Sequence, residues 1–330
     1  MQKIYKYSKA FIILVILILM ACFASKSFYT LSNLSSILMS ASLYGIMACG
    51  MMFPLLVSGP DLSMSGMMAV GGMIVVKHIM AHGNTTASFF VGCLLAIIIC
   101  GAIGAVMGAV IHAFNLPSFI ISLAMQYVLL GVAQIGLASK VVCTAPKIFC
   151  QLGNGRFLGF PIQIYLFFII ALLAFFLMHR TTYGRKCYMV GGNRKASILC
   201  GINVAPVEIV AFMLCAVTAG IAGVILAAMN QQASATAGTL YETDVLLACV
   251  LGGASMGEGI GSIGGAIYGA IFVSLLNNCL RMAGVPSLYQ TMIVGILIIA
   301  SMGAESYFKA KASGMHWNKQ KNKVVERELG

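Results

Sequence analysis

Residues 88–114 read SFFVGCLLAIIICGAIGAVMGAVIHAF, a run without a single Asp, Glu, Lys or Arg. Coiled as an α-helix, such a run extends about 40 Å, more than the roughly 30 Å hydrocarbon core of a bilayer. Similar apolar stretches lie on both sides of it, near 10–24, 36–57, 62–80, 118–139, 162–178, 209–229, 243–257, 260–280 and 288–305. The sequence therefore predicts an all-α polytopic membrane protein of about ten transmembrane helices.

Composition points the same way. Of 330 residues 60% are hydrophobic and 8% charged, with a mean hydropathy of +0.98, against roughly 25% charged in soluble domains. Eight acidic and 20 basic side chains are too few to cover a soluble fold of this length, so lipid is the solvent for most of the chain. The net charge of +12 does not indicate nucleic-acid binding, because the cations cluster in loops and tails rather than along one face with aromatic residues between them. The stretch 10–24 follows Lys3, Lys6 and Lys9 and lacks a small-residue cleavage site, which reads as a retained helix.

Cations near helix ends stay on the cytoplasmic side. Placing the amino terminus there puts Lys3, Lys6, Lys9, Arg180, Arg185, Lys186, Arg194, Lys195, Lys309, Lys311, Lys319, Lys321, Lys323 and Arg327 inside, fourteen of the 20. Both termini are then cytoplasmic, with residues 1–308 as the membrane domain and 309–330 as a basic, disordered tail. Lys26, Lys77, Lys140, Lys147, Arg156 and Arg281 fall outside.

The eleven cysteines form no CxxC pair, and most sit in apolar runs as small buried hydrophobes. Cys143 and Cys150 share a polar loop and are read as free thiols, with a disulfide open to them if that loop faces an oxidising space. Gly104/Gly108, Gly261/Gly265 and Gly265/Gly269 are GxxxG pairs, which bring helix backbones close. Residues 259–264 also match GxGxxG, but no strand precedes them, and the chain has no GxxxxGK[ST] phosphate loop. His78 and His82 lack HExxH or neighbouring carboxylates, so no metal or other cofactor is expected.

Three segments break the apolar pattern. Residues 179–208 are too polar to cross; Asn193 there is placed to cap a short helix through Arg194-Lys195-Ala196-Ser197-Ile198-Leu199-Cys200 that Gly201 ends. Composition alone reads this as a basic connector on an anionic leaflet. Ser58-Gly59-Pro60-Asp61-Leu62-Ser63 is either the lining of a cavity at membrane depth or a tight turn in which Asp61 caps the next helix. Tyr241-Glu242-Thr243-Asp244 fits capping or solute contact, while Asn277 and Asn278 fit interhelical glue or a polar path.

Taken in order, these segments resemble the ribose-type permease family of binding-protein-dependent ABC importers. The resemblance covers nearly the whole chain. It rests on Gly59-Pro60-Asp61-Leu62-Ser63-Met64-Ser65 (near GGxDLSVG), Pro117-Ser118-Phe119-Ile120-Ile121-Ser122-Leu123 (PxFIxTL), Tyr183-Gly184-Arg185, Gly191-Gly192-Asn193 and Gly201-Ile202-Asn203. Ala219-Gly220-Ile221-Ala222-Gly223, Tyr241-Glu242-Thr243-Asp244 (YELD), Leu251-Gly252-Gly253 and Leu276-Asn277-Asn278 complete it. Pro60, Met64 and Ser65 depart from the pattern, as does Arg194-Lys195-Ala196-Ser197 after the GGN.

The resemblance implies an inner-membrane permease, not an enzyme, that carries a monosaccharide. Its partners would be a second permease, two ATP-binding domains or a tandem ATPase, and a periplasmic or lipid-anchored binding protein. Gly191, Gly192, Asn193, Arg194, Lys195, Ala196 and Gly201 would couple to the ATPase. Asp61, Ser63, Asn277 and Asn278 are candidates for the solute path, and Lys140, Lys147, Arg156 and Glu242 for binding-protein contact. The same machinery carrying a nucleoside, an autoinducer-2-like furanone or a polyol stays open. A stand-alone secondary transporter would need ionisable residues within the spans, and an intramembrane enzyme a nucleophile with its base or metal; neither pattern stands out.

Overall fold

The computed structural model of the chain describes residues 26–137, 140–142 and 146–312. The expected span at 10–24 and Cys143 lie outside the described residues. After a short 3-10 helix (Lys26–Tyr29) come α1 (Leu31–Val57), α2 (Met64–Ala81), α3 (Thr86–Phe114) and α4 (Ser118–Leu137). A connection holding β1 (Lys140–Val142), α5 (Lys147–Asn154), β2 (Arg156–Phe157) and β3 (Phe160–Pro161) leads to α6 (Ile162–Arg180). Then follow α7 (Thr182–Gly192), α8 (Arg194–Leu199), α9 (Val204–Asn230), β4 (Gln232–Ser234), α10 (Tyr241–Leu251), α11 (Ile263–Met282) and α12 (Ser287–Ala312).

Seven of these helices, α1, α2, α3, α4, α6, α9 and α11, are long and apolar enough to cross a membrane, and α12 carries a shorter apolar stretch, Ser287–Gly303. The chain is thus an all-α polytopic membrane protein; among the described residues its strands form two short antiparallel pairs, β1 with β4 and β2 with β3. The span expected at 243–257 is corrected. Helix α10 stops at Leu251 after 11 residues, about 16 Å, because Gly252 and Gly253 break it and Gly253 takes a φ of +90°. An irregular segment then runs to Ser262. Helix α12 also reaches further than expected, taking in Lys309 and Lys311.

Local chemistry sets the helix ends. Thr85 and Ser88 form a reciprocal capping box at the start of α3, and Asn115 closes that helix in the left-handed conformation. Helix α1 is the central post: from Ala41 to Val57 its side chains are buried all round, as expected of a helix apolar on every face. Helix α9 packs along α3, α2 and α1, and α11 packs on α1 and α10.

Those contacts are made backbone to backbone where glycine allows it. A Cβ on Gly104 would lie 2.5 Å from the Ala216 Cβ, and one on Gly108 2.9 Å from the Ile209 Cα. Between α10 and α11, a Cβ on Gly269 would stand 1.8 Å from the Ala248 carbonyl oxygen, and one on Gly265 2.1 Å from that of Gly252. In lipid, helices gain little from excluding one another's apolar surface, so fit at such small residues carries the association.

One methyl group distinguishes two adjacent glycines. Gly265→Ala collides with the Gly252 backbone, whereas Gly264→Ala meets open space. Overpacking of this kind costs about 1–3 kcal/mol. The thermal midpoint of the detergent-solubilised protein should fall for Gly265→Ala and stay at the native value for Gly264→Ala.

Candidate functional site

The polar segment between α6 and α9 folds into a compact bracket. Thr181 caps α7, its side chain accepting from the Gly184 N–H at 3.2 Å. Three contacts then hold α7 to the bundle: Tyr183 Oη donates to the Val207 carbonyl at 3.1 Å, Tyr188 Oη to that of Gly261 at 3.0 Å, and Gly191 lies against Leu56 and Gly259. A Cβ on Gly191 would stand 2.0 Å from the Leu56 carbonyl oxygen and 2.7 Å from the Gly259 nitrogen. Burial pushes the Cys187 thiol up to about 11, so it serves there as an apolar group.

Asn193 joins the two short helices. Its backbone N–H ends α7 on the Met189 carbonyl, and its side chain starts α8 by accepting from Ala196 N–H at 2.9 Å. Gly201, with φ at +79°, then ends the turn, and Asn203 caps α9 by accepting from Ala205 N–H at 3.2 Å. The tip of this bracket is open: Gly192, Asn193, Lys195, Ala196 and Gly201 are exposed. So are two large apolar side chains, Ile198 at 56% and Leu199 at 89%.

Behind the tip sits a charged node. Glu208, in the first turns of α9, is 4% exposed. Its Oε2 lies 2.5 Å from Nδ1 of His112 near the end of α3 and 3.1 Å from Nη2 of Arg194, the first residue of α8. Ser58, just past α1, donates to Oε1 at 3.2 Å. Arg194 also donates through Nη1 to Oδ1 of Asn115 at 2.7 Å. A single buried carboxylate thereby ties α8 to the ends of α1, α3 and α9, with donors on both oxygens, as a buried charge requires.

The other sequence candidates fall in three places. Asp61 and Ser63 are fully buried between α1 and α2; Ser63 donates its N–H at 2.9 Å and its hydroxyl at 2.6 Å to Asp61 Oδ1. These bonds close a local turn ahead of α2, whose N-cap Ser63 makes no side-chain cap bond, and the turn is enclosed in the conformation described. Asn277 donates to Asp244 Oδ2 at 3.1 Å and to Tyr44 Oη at 3.3 Å, and Asn278 exchanges side-chain bonds with Asn33 at 2.7 and 3.2 Å. Both tie α11 to α1. Glu242, by contrast with the outer surface expected for it, is 9% exposed and lies inward against Ser65 and Gln126.

Lys147 and Arg156 are exposed on the connection between α4 and α6, and Lys140 stands in β1, paired with Ser234. Sequence reading missed Glu208, His112 and Asn115. The available signal was an acidic residue opening an apolar run soon after a basic cluster. Among the described residues no group of three or more His, Cys, Asp or Glu is placed to hold a metal ion, and Cys150 is a free thiol.

Comparison with known proteins bears on this geometry. The family described as "Branched-chain amino acid transport system / permease component" matches residues 33–302. The ribose import permease protein RbsC of Escherichia coli strain K12 is 36% identical over 298 residues, 89% of this chain and 92% of the relative. The L-arabinose ABC transporter permease protein AraH of Azospirillum brasilense is 30% identical, covering 91% of this chain and 89% of its own. The D-allose transport system permease protein AlsC of Escherichia coli strain K12 is 29% identical, covering 91% of both chains. No solved structure matches. With matches that run nearly end to end and seven helices fit to cross a bilayer, the chain belongs to the ribose-type permease family of ABC importers and is a multi-pass protein of the bacterial inner membrane.

Proposed function

We propose that the chain conducts a monosaccharide across the inner membrane, driven by separate ATPase subunits that dock on α8. The observation that carries this reading is the bracket itself. A six-residue helix presents Ile198 and Leu199 outward while Arg194, at its base, is fixed to a buried carboxylate shared by α1, α3 and α9. An exposed apolar tip on a braced base suits a partner that pushes, because displacement of the tip moves the ends of three helices together. Gly191, packed on Leu56 and Gly259, adds a second point of transmission, to the irregular segment after α10.

Relatives named for ribose, allose and arabinose support the sugar class. The full assembly on this reading has about ten crossings, the one expected at 243–257 being made by the non-helical stretch 231–240 together with α10, and both termini cytoplasmic, with two permease subunits, two ATP-binding domains or a tandem ATPase, and an extracytoplasmic binding protein. Lys147 and Arg156, exposed on the connection between α4 and α6, and Lys140 in β1 meet acidic groups of that binding protein in a salt-sensitive contact. Asp61, Ser63, Asn277 and Asn278 hold helices whose relative movement opens and closes the path.

Cells expressing the chain with an ATPase and a binding protein should accumulate labelled D-ribose, D-allose or L-arabinose, and deleting the ATPase should abolish this. Uphill accumulation by the chain alone in vesicles ends the proposal. Ile198→Glu with Leu199→Glu changes exposed positions, where substitutions usually shift stability by under about 0.5 kcal/mol. The protein should therefore insert normally but no longer co-purify with the ATPase.

Glu208→Ala tests the node. Loss of one partner from a fully buried ion pair costs about 3–5 kcal/mol; here the Arg194 side chain is 38% exposed, so water compensates in part and about 1–3 kcal/mol is expected. Trypsin should cut after Lys195 faster than in the native protein, and uptake should fall while the ATPase remains bound.

A further inference from the structure

The stretch between α9 and α10 turns back into the bundle. Helix α9 ends at Asn230, Gln231 turns the chain in the left-handed conformation, and β4 pairs with β1. By Tyr241 the chain has reached Tyr44, with ring centroids 5.1 Å apart. Tyr44 is halfway along the 27 residues of α1, about 20 Å from either end. Ten residues of largely non-helical backbone thus lead inward from one end of the bundle to the level where α10 begins.

This stretch is not sealed by the rest of the chain: Thr236, Thr239 and Leu240 are exposed and Thr243 is half-buried. Non-helical backbone and hydroxyls are costly against hydrocarbon and occur at membrane depth only against protein or a water-filled cavity. The hydroxyl protons of Thr239 and Thr243 are committed to backbone carbonyls, whereas in the bond between Thr236 and Ser234 either hydroxyl can be the donor, so that Thr236 offers at least one lone pair. Thr239 Oγ1 donates to the Thr236 carbonyl at 2.7 Å, Thr243 Oγ1 donates to the Leu240 carbonyl at 2.6 Å, and the hydroxyls of Thr236 and Ser234 share a bond at 3.0 Å.

A hydroxyl that donates inward offers a passing molecule only its lone pairs. Of the two carboxyl groups in the first turn of α10, Glu242 is buried inward against Ser65 and Gln126, and Asp244 accepts from Asn277 Nδ2 at 3.1 Å, the Asn277 backbone carbonyl in turn accepting from Arg281 Nε at 3.2 Å.

We propose that Thr236, Thr239 and Thr243 form a row of hydrogen-bond acceptors along the solute path, suited to neutral molecules rich in hydroxyl donors. Sugars and polyols satisfy such a row, one hydroxyl after another; carboxylates and phosphates, which bring acceptors of their own, do not. Specificity for uncharged polyhydroxyl compounds is then set partly in the permease and not only by the delivering protein. The proposal rests on the importer reading above and gives that reading a location in the chain.

The test uses the complete importer in cells, with labelled D-ribose, D-allose and L-arabinose as probes. Valine matches threonine in shape but has no oxygen. A Thr236→Val/Thr239→Val variant should lower the maximal uptake rate by about two- to tenfold, the worth of one or two hydrogen bonds. The half-saturating concentration, set by delivery, should stay put, and Thr239→Ser should restore the rate. An unchanged maximal rate overturns the proposal. Absence of ATPase-dependent uptake in the native protein would instead remove the importer reading, which separates the two failures.

If the valine variant fails to reach the membrane, Thr239→Cys decides. Labelling by a charged, water-soluble thiol reagent in the assembled importer supports a water-lined path. Labelling only by a lipid-soluble reagent, or by neither because a second copy covers the site, overturns it.

Discussion

In a bilayer, water does not push one apolar helix onto the next, so this bundle depends on how closely its backbones can approach. Gly104 and Gly108 bring α3 onto α9, and Gly252, Gly265 and Gly269 bring α10 onto α11. At these points the partner is backbone or a small side chain, at distances that leave no room for another carbon. Dispersion between well-fitted surfaces is summed over many such contacts. The short helix α10 stays in place although it spans too little of the membrane to be anchored by its own length, because its far end is seated against α11.

Polar groups are used sparingly against this background, and nearly all are tied. The Asn33–Asn278 pair satisfies both amides reciprocally, and Asn277 bridges Tyr44 to Asp244. Glu208 goes further by gathering Ser58, His112 and Arg194 on one carboxylate. A buried charge that shed one of these donors would be stabilised again only by recovering it or by taking up a proton. That gives the node a defined geometry to return to after any displacement, which loosely packed leucines would not supply.

Much of this was legible before any coordinates. Uninterrupted apolar runs such as 88–114 marked the membrane helices, and Asn193 with Gly201 marked both ends of α8, because cap chemistry is local. The pairs Gly104/Gly108 and Gly265/Gly269 announced close packing on the correct helices, whereas Gly261 of the third pair lies ahead of α11 in the irregular segment. What failed was the length of α10: Val245 to Val250 are as apolar as any span, and only the φ values of Gly253, Gly257 and Gly259 reveal that the chain leaves the helix. Glu242 was misjudged because charge near a helix start resembles surface from sequence alone, whereas tertiary contacts with Ser65 and Gln126 decide its side. The partners of Glu208 were invisible because His112 and Ser58 are remote from it in sequence.

The contact between Gly191 and Gly259 has a further consequence. It is made by main chain on both sides, with the Gly259 Cα 2.8 Å from where a Gly191 side chain would begin, so it holds only while both positions stay glycine. The outward residues Lys195, Ile198 and Leu199 lie beyond that joint and share no atoms with it. On the docking proposed for α8, drift at the exposed tip re-matches the permease to a different motor subunit while the linkage behind it is inherited intact.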